Sequence, residues 1–312
     1  MLRRSAPRGL LREAAERRPM KSPHGTPESS RPTPAQITAA ILLLGDDRGP
    51  IQTAARERLL RWGELAVAQL REGGEAEPVR TRARCRALLR TLEIRGCLRR
   101  FARLRLGRGG RGSAPALLEG AVLLSKMVRT FVPDALELAA RLRRHANELR
   151  GEFVGRSLPT RARLLAERLH DALGLQGGDA SVLELDHVLI DRVLEHRTGI
   201  PVSLSLIYLL TARWAGLSVA GVALPDHFLV RLHGVRPVLV DPYHGGRSIT
   251  KADCARYLRA SGHDQVREHL RDLTDREVLI HYLRSLRRAA SYRAVPETEQ
   301  TLGDALALLE TT

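Results

Sequence analysis

Residues 201–241 limit the possible folds more than any other stretch. Pro201 stands where a helix can begin, and Gly216 stands where its apolar run stops. Three short segments follow, at 219–224, 227–233 and 237–241. The last two alternate as half-buried strands do, with Gly234 between them, which predicts an antiparallel hairpin. His227 opens the first strand of that hairpin and Asp241 closes the second, so pairing brings the two side by side. A His beside an Asp is a base with its orienter. A nucleophile on the first turn of helix 201–215 would complete a triad, because a helix N-terminus stabilises an anion there. Ser203 is the nearest candidate and Ser205 the next. The bland alternatives are a serine that bonds a backbone N–H in the first helical turn, and a His–Asp pair that only satisfies itself. Asp241-Pro242-Tyr243-His244-Gly245-Gly246 also reads as a turn whose glycines supply positive φ.

The rest of the chain reads as helices. Residues 1–34 mix Arg, Pro, Ser and Gly without an apolar period, which predicts a disordered basic tail. The tail has no apolar run of the secretory kind, and Glu13 and Glu16 argue against an organelle transit peptide. Thr33 and Pro34 form a helix start, after which Ile37, Ala40, Ile41 and Leu44 recur at helical spacing. Residues 35–106 resemble HEAT-type helices, with the Arg-rich part amphipathic and a possible break near Gly96. Gly107 to Gly112 is a Gly/Arg linker that follows no strand, so it is no phosphate loop. Beyond it, helices are expected at 115–130 and 134–150, parted by Pro133. Others follow at 159–173, capped by Ser157 or Thr160, and at 186–197. Short helices at 251–260 and 264–272 precede a final pair at 275–289 and 296–310. The domains expected are therefore the tail 1–34, helices 35–106, linker 107–112, a core at 113–272 and a helical pair at 273–312.

Charge and cysteine content narrow the partners. Of the net charge of +16, residues 1–34 carry +5 and residues 80–112 carry +11, leaving the remainder neutral as a set. A basic cluster is a candidate for an anionic partner. Yet 48 of 51 basic residues are Arg, which fits GC-rich codon usage on solvated helix faces. The expectation is that the Arg cluster at 80–111 serves no nucleic acid, although it is where such a partner could bind. No apolar run is long enough to span a bilayer, so no membrane role is expected. Three cysteines without a CxxC pair imply a reducing compartment and a cytoplasmic location. Cys85 and Cys97 fall among apolar helix positions, as buried thiols do. Neither HExxH nor GxxxxGK[ST] occurs. His227, Asp241 and His244 could ligate a metal, but spacing alone does not carry that reading, so no metal and no cofactor is expected.

A nucleophile on a helix, a His on one strand and an Asp on the next is the order of the transglutaminase-like version of the papain fold. The sequence resembles, more specifically, the SirB-one type of transglutaminase-like proteins. The resemblance rests on Glu195-His196-Arg197-Thr198-Gly199-Ile200-Pro201 followed by VSLSLIY, then LPDHFLVR, then VDPYHGGR. EGAVLLSKMV at 119–128 and DREVLIHYLRSLRRA at 275–289 extend it over roughly residues 115–310. It implies a transglutaminase-like core of helices and a small antiparallel sheet followed by a helical repeat-like tail; with the HEAT-like helices at 35–106, which lie outside the resemblance, the fold expected is α+β. It also implies a Cys nucleophile, and this chain has none at the helix start. Phe228 follows His227, where active relatives carry a small residue and then Trp. Two functions remain: a catalytically degenerate module that binds a protein or peptide partner and regulates, or a hydrolase or acyltransferase using Ser203, His227 and Asp241. A Cys placed at 203 should be readily ionised by the helix N-terminus and His227.

Overall fold

The computed structural model describes residues 31–76, 78–106, 113–179, 184–263, 266–291 and 296–311. The predicted basic tail (residues 1–30 of it) and the predicted 107–112 linker lie outside the described residues. Thr33 caps α1 (Pro34–Leu44) in a reciprocal box with Gln36, and Pro34 takes the first helical position. α2 (Gly49–Trp62), a 3₁₀ turn (Gly63–Ala66), α3 (Val67–Ala76) and α4 (Val79–Phe101) follow. Gly96 does not break α4, which is continuous. Its cost there is about 1 kcal/mol against Ala, and burial of Leu92, Cys97 and Phe101 on either side outweighs it. Ile37, Ile41, Leu59, Leu70, Cys85 and Leu88 close a small core of their own, whereas Cys97 and Phe101 of the same α4 belong to the main core.

The arginines of α4 are largely engaged within the molecule. Arg84 donates to the carbonyls of Leu44 and Asp46, Arg86 to that of Gly74, and Arg90 to those of Lys126 and Met127. Arg99 pairs with Glu64 at 2.7 Å and Arg100 with Glu119 at 2.9 Å.

α5 (Ala114–Val128), α6 (Ala135–Glu152) and α7 (Leu158–Glu167) are capped by Ser113, Asp134 and Ser157 respectively. α7 passes into a π-helical turn at Arg168–Ala172. Where one helix is expected at 186–197, the chain forms α8 (Leu185–Val188) and α9 (Ile190–His196), separated by extended Leu189. Two elements absent from the sequence reading flank them: β1 (Gln176–Gly177) and β2 (Thr198–Gly199), paired in parallel. Strands of two residues have no periodicity to read, and their partners are remote in sequence.

α10 (Pro201–Trp214) is the centre of the fold. Every residue from Val202 to Ala212 is buried, so the helix is apolar on all sides. Leu204, Leu206, Ile207, Leu209 and Leu210 are fully buried, at about 2 kcal/mol of hydrophobic stabilisation each. Against it lies one four-stranded antiparallel sheet in the order β3 (Val219–Leu224), β4 (His227–Leu232), β5 (Val238–Asp241), β6 (Arg247–Ile249). α11 (Lys251–Ala260) and α12 (Val266–His269) come next, the latter shorter than the expected 264–272. α13 (Asp275–Ser291) and α14 (Pro296–Glu310) complete the chain. The result is the expected α+β architecture, with a small antiparallel sheet among helices.

Alternation sorts the sheet into two faces. Phe228, Val230 and Val240 join the main core. Leu229 and Leu239 join Val222, Leu224, Cys254 and Leu258 in a separate cluster beneath α11. His227 has the parity of Leu229 and Asp241 that of Leu239, so both start from the face turned toward α11 rather than toward α10.

Candidate functional site

His227 follows directly on a two-residue turn, Pro225-Asp226, with Asp226 at φ 52°. Val230 pairs with Val240 across β4 and β5. Continued to the strand ends, that register puts Asp241 diagonal to His227 on one face. The expected meeting occurs: His227 Nε2 stands 3.0 Å from Asp241 Oδ1. The approach is an ion-pair distance rather than an aligned hydrogen bond, and His227 Nε2 is buried without an aligned partner. A third side chain, His244, places Nδ1 2.8 Å from Asp241 Oδ2, and its backbone N–H donates to Oδ1 at 3.3 Å. Pro242–His244 forms a 3₁₀ turn, and Gly245 and Gly246 follow at φ 72° and 69°, as the turn reading expects.

Asp241 is only 3% exposed. Burial works against its charge, but the neighbouring His227 and His244 outweigh burial and hold its pKa below the ordinary carboxylate range. Tyr243 packs edge-on to His227 at 5.9 Å, and its hydroxyl donates to the Gly178 carbonyl. Gly177 makes room for that residue: a Cβ there would lie 2.9 Å from the Tyr243 ring carbons Cδ2 and Cε2 and 2.6 Å from its carbonyl oxygen. The two short strands β1 and β2 thus brace the turn that carries His244.

The serines are placed otherwise. Ser203 is fully buried, and its hydroxyl donates to the Val188 carbonyl at 2.7 Å. The expected bond from a first-turn N–H to this serine is replaced by that contact with α8. Ser205 is also fully buried, and its hydroxyl donates to the Phe228 carbonyl at 3.1 Å. It reaches the residue next to His227, through backbone. No hydrogen bond joins either serine to His227 among the described residues. All three cysteines are buried. Burial pushes the thiols of Cys97 and Cys254 up, which keeps them protonated and unreactive near neutral pH.

A cleft of about 390 Å³ opens on the other side of the 245–248 segment, lined by Arg163, Ala166, Glu167, His170, Asp171 and Gly245 to Ser248. Neither His227 nor Asp241 lines it. Tyr208 Oη, behind the cleft, and His170 Nε2, in its wall, are buried without a hydrogen-bond partner. Burial holds the His170 pKa down, and the Tyr208 hydroxyl, nearly enclosed, stays protonated. Sequence reasoning missed this group. The π-helical turn that aims His170 inward has no pattern of its own.

Residues 136–284 match the transglutaminase-like superfamily. The chain is 36% identical over 124 residues to a UPF0162 protein of Xylella fastidiosa, which covers 39% of this chain and 41% of that one. It is 31% identical over 137 residues to a UPF0162 protein of Vibrio cholerae, covering 42% and 50%. It is also 32% identical over 95 residues to F-box only protein 21 of Homo sapiens, covering 28% and 15%. The chain spans half or less of the length of each of these relatives. No solved structure matches it. Among the described residues, no helix is long and apolar enough to cross a membrane.

Proposed function

Starting from a transglutaminase-like domain at residues 136–284, we propose that the chain is of the SirB-one type, is catalytically degenerate, and serves in the cytoplasm as a protein- or peptide-binding, regulatory module. One observation carries this reading. The start of α10, where a nucleophile would sit, offers two fully buried serines whose hydroxyls are bound to backbone carbonyls. A serine needs a base to take its proton during attack, and neither hydroxyl is presented to His227. The 95 residues matched in F-box only protein 21 are 15% of that protein, as a module set in a longer chain would be. The N-terminal helices, HEAT-like in sequence, extend the surface such a module offers. Arg84, Arg86 and Arg90 each spend donors on backbone carbonyls, which leaves them less free to meet phosphates.

A hydrolase and transamidase screen of the full chain tests the reading. Little or no turnover is expected. Robust turnover that disappears in Ser203→Ala would instead establish the Ser203–His227–Asp241 triad. Alkylation by iodoacetamide sharpens the result. Ser203→Cys and Ser205→Cys should both react slowly, because each position is closed to solvent. This reverses the activation expected from sequence alone. A fast, selective reaction at 203 would show a nucleophile pocket that opens.

A further inference from the structure

We propose that His227 Nε2, His244 Nδ1 and the Asp241 carboxylate form a binding site for a divalent transition-metal ion of the zinc class. The ligating atoms all lie within 4.8 Å of one another. Around a zinc ion with bonds of about 2.1 Å, tetrahedral ligand atoms stand about 3.4 Å apart. The distances from Asp241 are 3.0 Å to His227 and 2.8 Å to His244, so small side-chain adjustments would admit the ion. Two imidazoles and one carboxylate suit zinc and its neighbours in the first transition row.

A second observation points the same way. His227 Nε2 is shut off from solvent and has no aligned hydrogen bond, although Asp241 Oδ1 is 3.0 Å away. Asp241 Oδ1 meets that nitrogen at short range but off the direction of a good hydrogen bond, and a metal ion between them would use both lone pairs. Access is available from one side, because the His244 side chain is 49% exposed. That side leaves a fourth position open to water or to a partner's ligand. The turn is rigid enough to hold the geometry, with the Tyr243 hydroxyl bonded to Gly178 and the His244 N–H to Asp241. One opposing charge is near: Arg247 Nη2 lies 3.9 Å from Asp241 Oδ2. Its side chain is mostly exposed and can turn outward. The rival arrangement is a carboxylate shared between two imidazoles with no ion.

The site does not depend on whether the domain is catalytic, and the test reads the metal directly. The full chain, stripped with chelator, is titrated near neutral pH with Zn²⁺ by calorimetry and with Co²⁺ by visible absorption. One equivalent of Zn²⁺ should bind, with Co²⁺ giving the intense bands of a tetrahedral site. His244→Ala should weaken binding roughly tenfold or more, since even an outer-shell change costs about that much. Asp241→Asn should abolish it. Should Asp241→Asn fail to fold, the exposed position of His244 keeps the test decisive, with circular dichroism reporting the fold of that variant. Absence of stoichiometric binding would overturn the site. So would undiminished binding in folded His244→Ala, which would assign the metal elsewhere.

Discussion

Two neighbouring regions bury polar atoms in opposite ways. At the start of α10, Ser203 and Ser205 are fully buried and each hydroxyl meets a carbonyl. Around the strand ends, His227 Nε2 at the start of β4, Tyr208 Oη farther along α10 and His170 Nε2 in the π-helical turn are buried without an aligned partner. A satisfied buried hydroxyl contributes to the fold and asks for nothing more. An unsatisfied buried group costs stability and persists where something else compensates for it. Of the residues expected at the site, the two serines are thus held by carbonyls, whereas His227 keeps a ring nitrogen without an aligned partner.

The largest effect that would break this contrast lies at Gly246. A Cβ there would stand 2.1 Å from Tyr208 Oη and 2.6 Å from Ala166 Cβ, on a backbone at φ +69°. Gly246→Ala should cost about 3 kcal/mol in denaturant unfolding, from overpacking together with left-handed strain. A near-neutral result would mean that the turn is loosely packed and that the unpartnered atoms behind it are not truly enclosed.

A smaller loss is expected on the other side. Ser203→Ala removes the bond to Val188 and should cost about 1 kcal/mol. The same measurement on Ser205→Ala should give a similar value. If both were silent, the hydroxyls would not be structural, and their burial would need another account.

The smallest effect is a pH dependence. Burial lowers the His170 pKa from its ordinary 6.5, so the unfolded chain takes up a proton there before the folded one does. The resulting stability is fully present above pH 6.5 and declines as pH falls below it. Equilibrium unfolding of wild type and His170→Asn across that range should show a slope in the former that is reduced in the latter. Equal slopes would place the dependence on other groups.

Which parts of this were legible in the sequence follows from how local their causes are. The caps at Thr33 and Ser157 and the hairpin through Gly234 depend on neighbours in the chain, and they were readable. The meeting of His227 with Asp241 follows from strand pairing within fifteen residues, and it too was readable. β1 and β2 pair across more than twenty residues and the break between α8 and α9 is set by packing, so they were not; β6 pairs locally with β5, but its three residues are too few to show alternation. Ser203 illustrates the limit. Its position three residues into the helix was correct, but an all-apolar helix gives no sign of which face meets a carbonyl of α8. His244 could be named as a possible ligand, whereas its convergence on the same carboxylate as His227 needed the turn geometry.

α4 has a mechanical consequence. Its 23 residues make a rod about 35 Å long. Cys85 and Leu88 on its first half wall the small core, and Cys97 and Phe101 on its second half wall the large one. Arg90, between them, clamps the end of α5 through two carbonyls. The rod works as a splint shared by both bodies. A load applied to the first three helices is delivered to α5 and α14, and the two cores are tied into one lever rather than hung as separate weights.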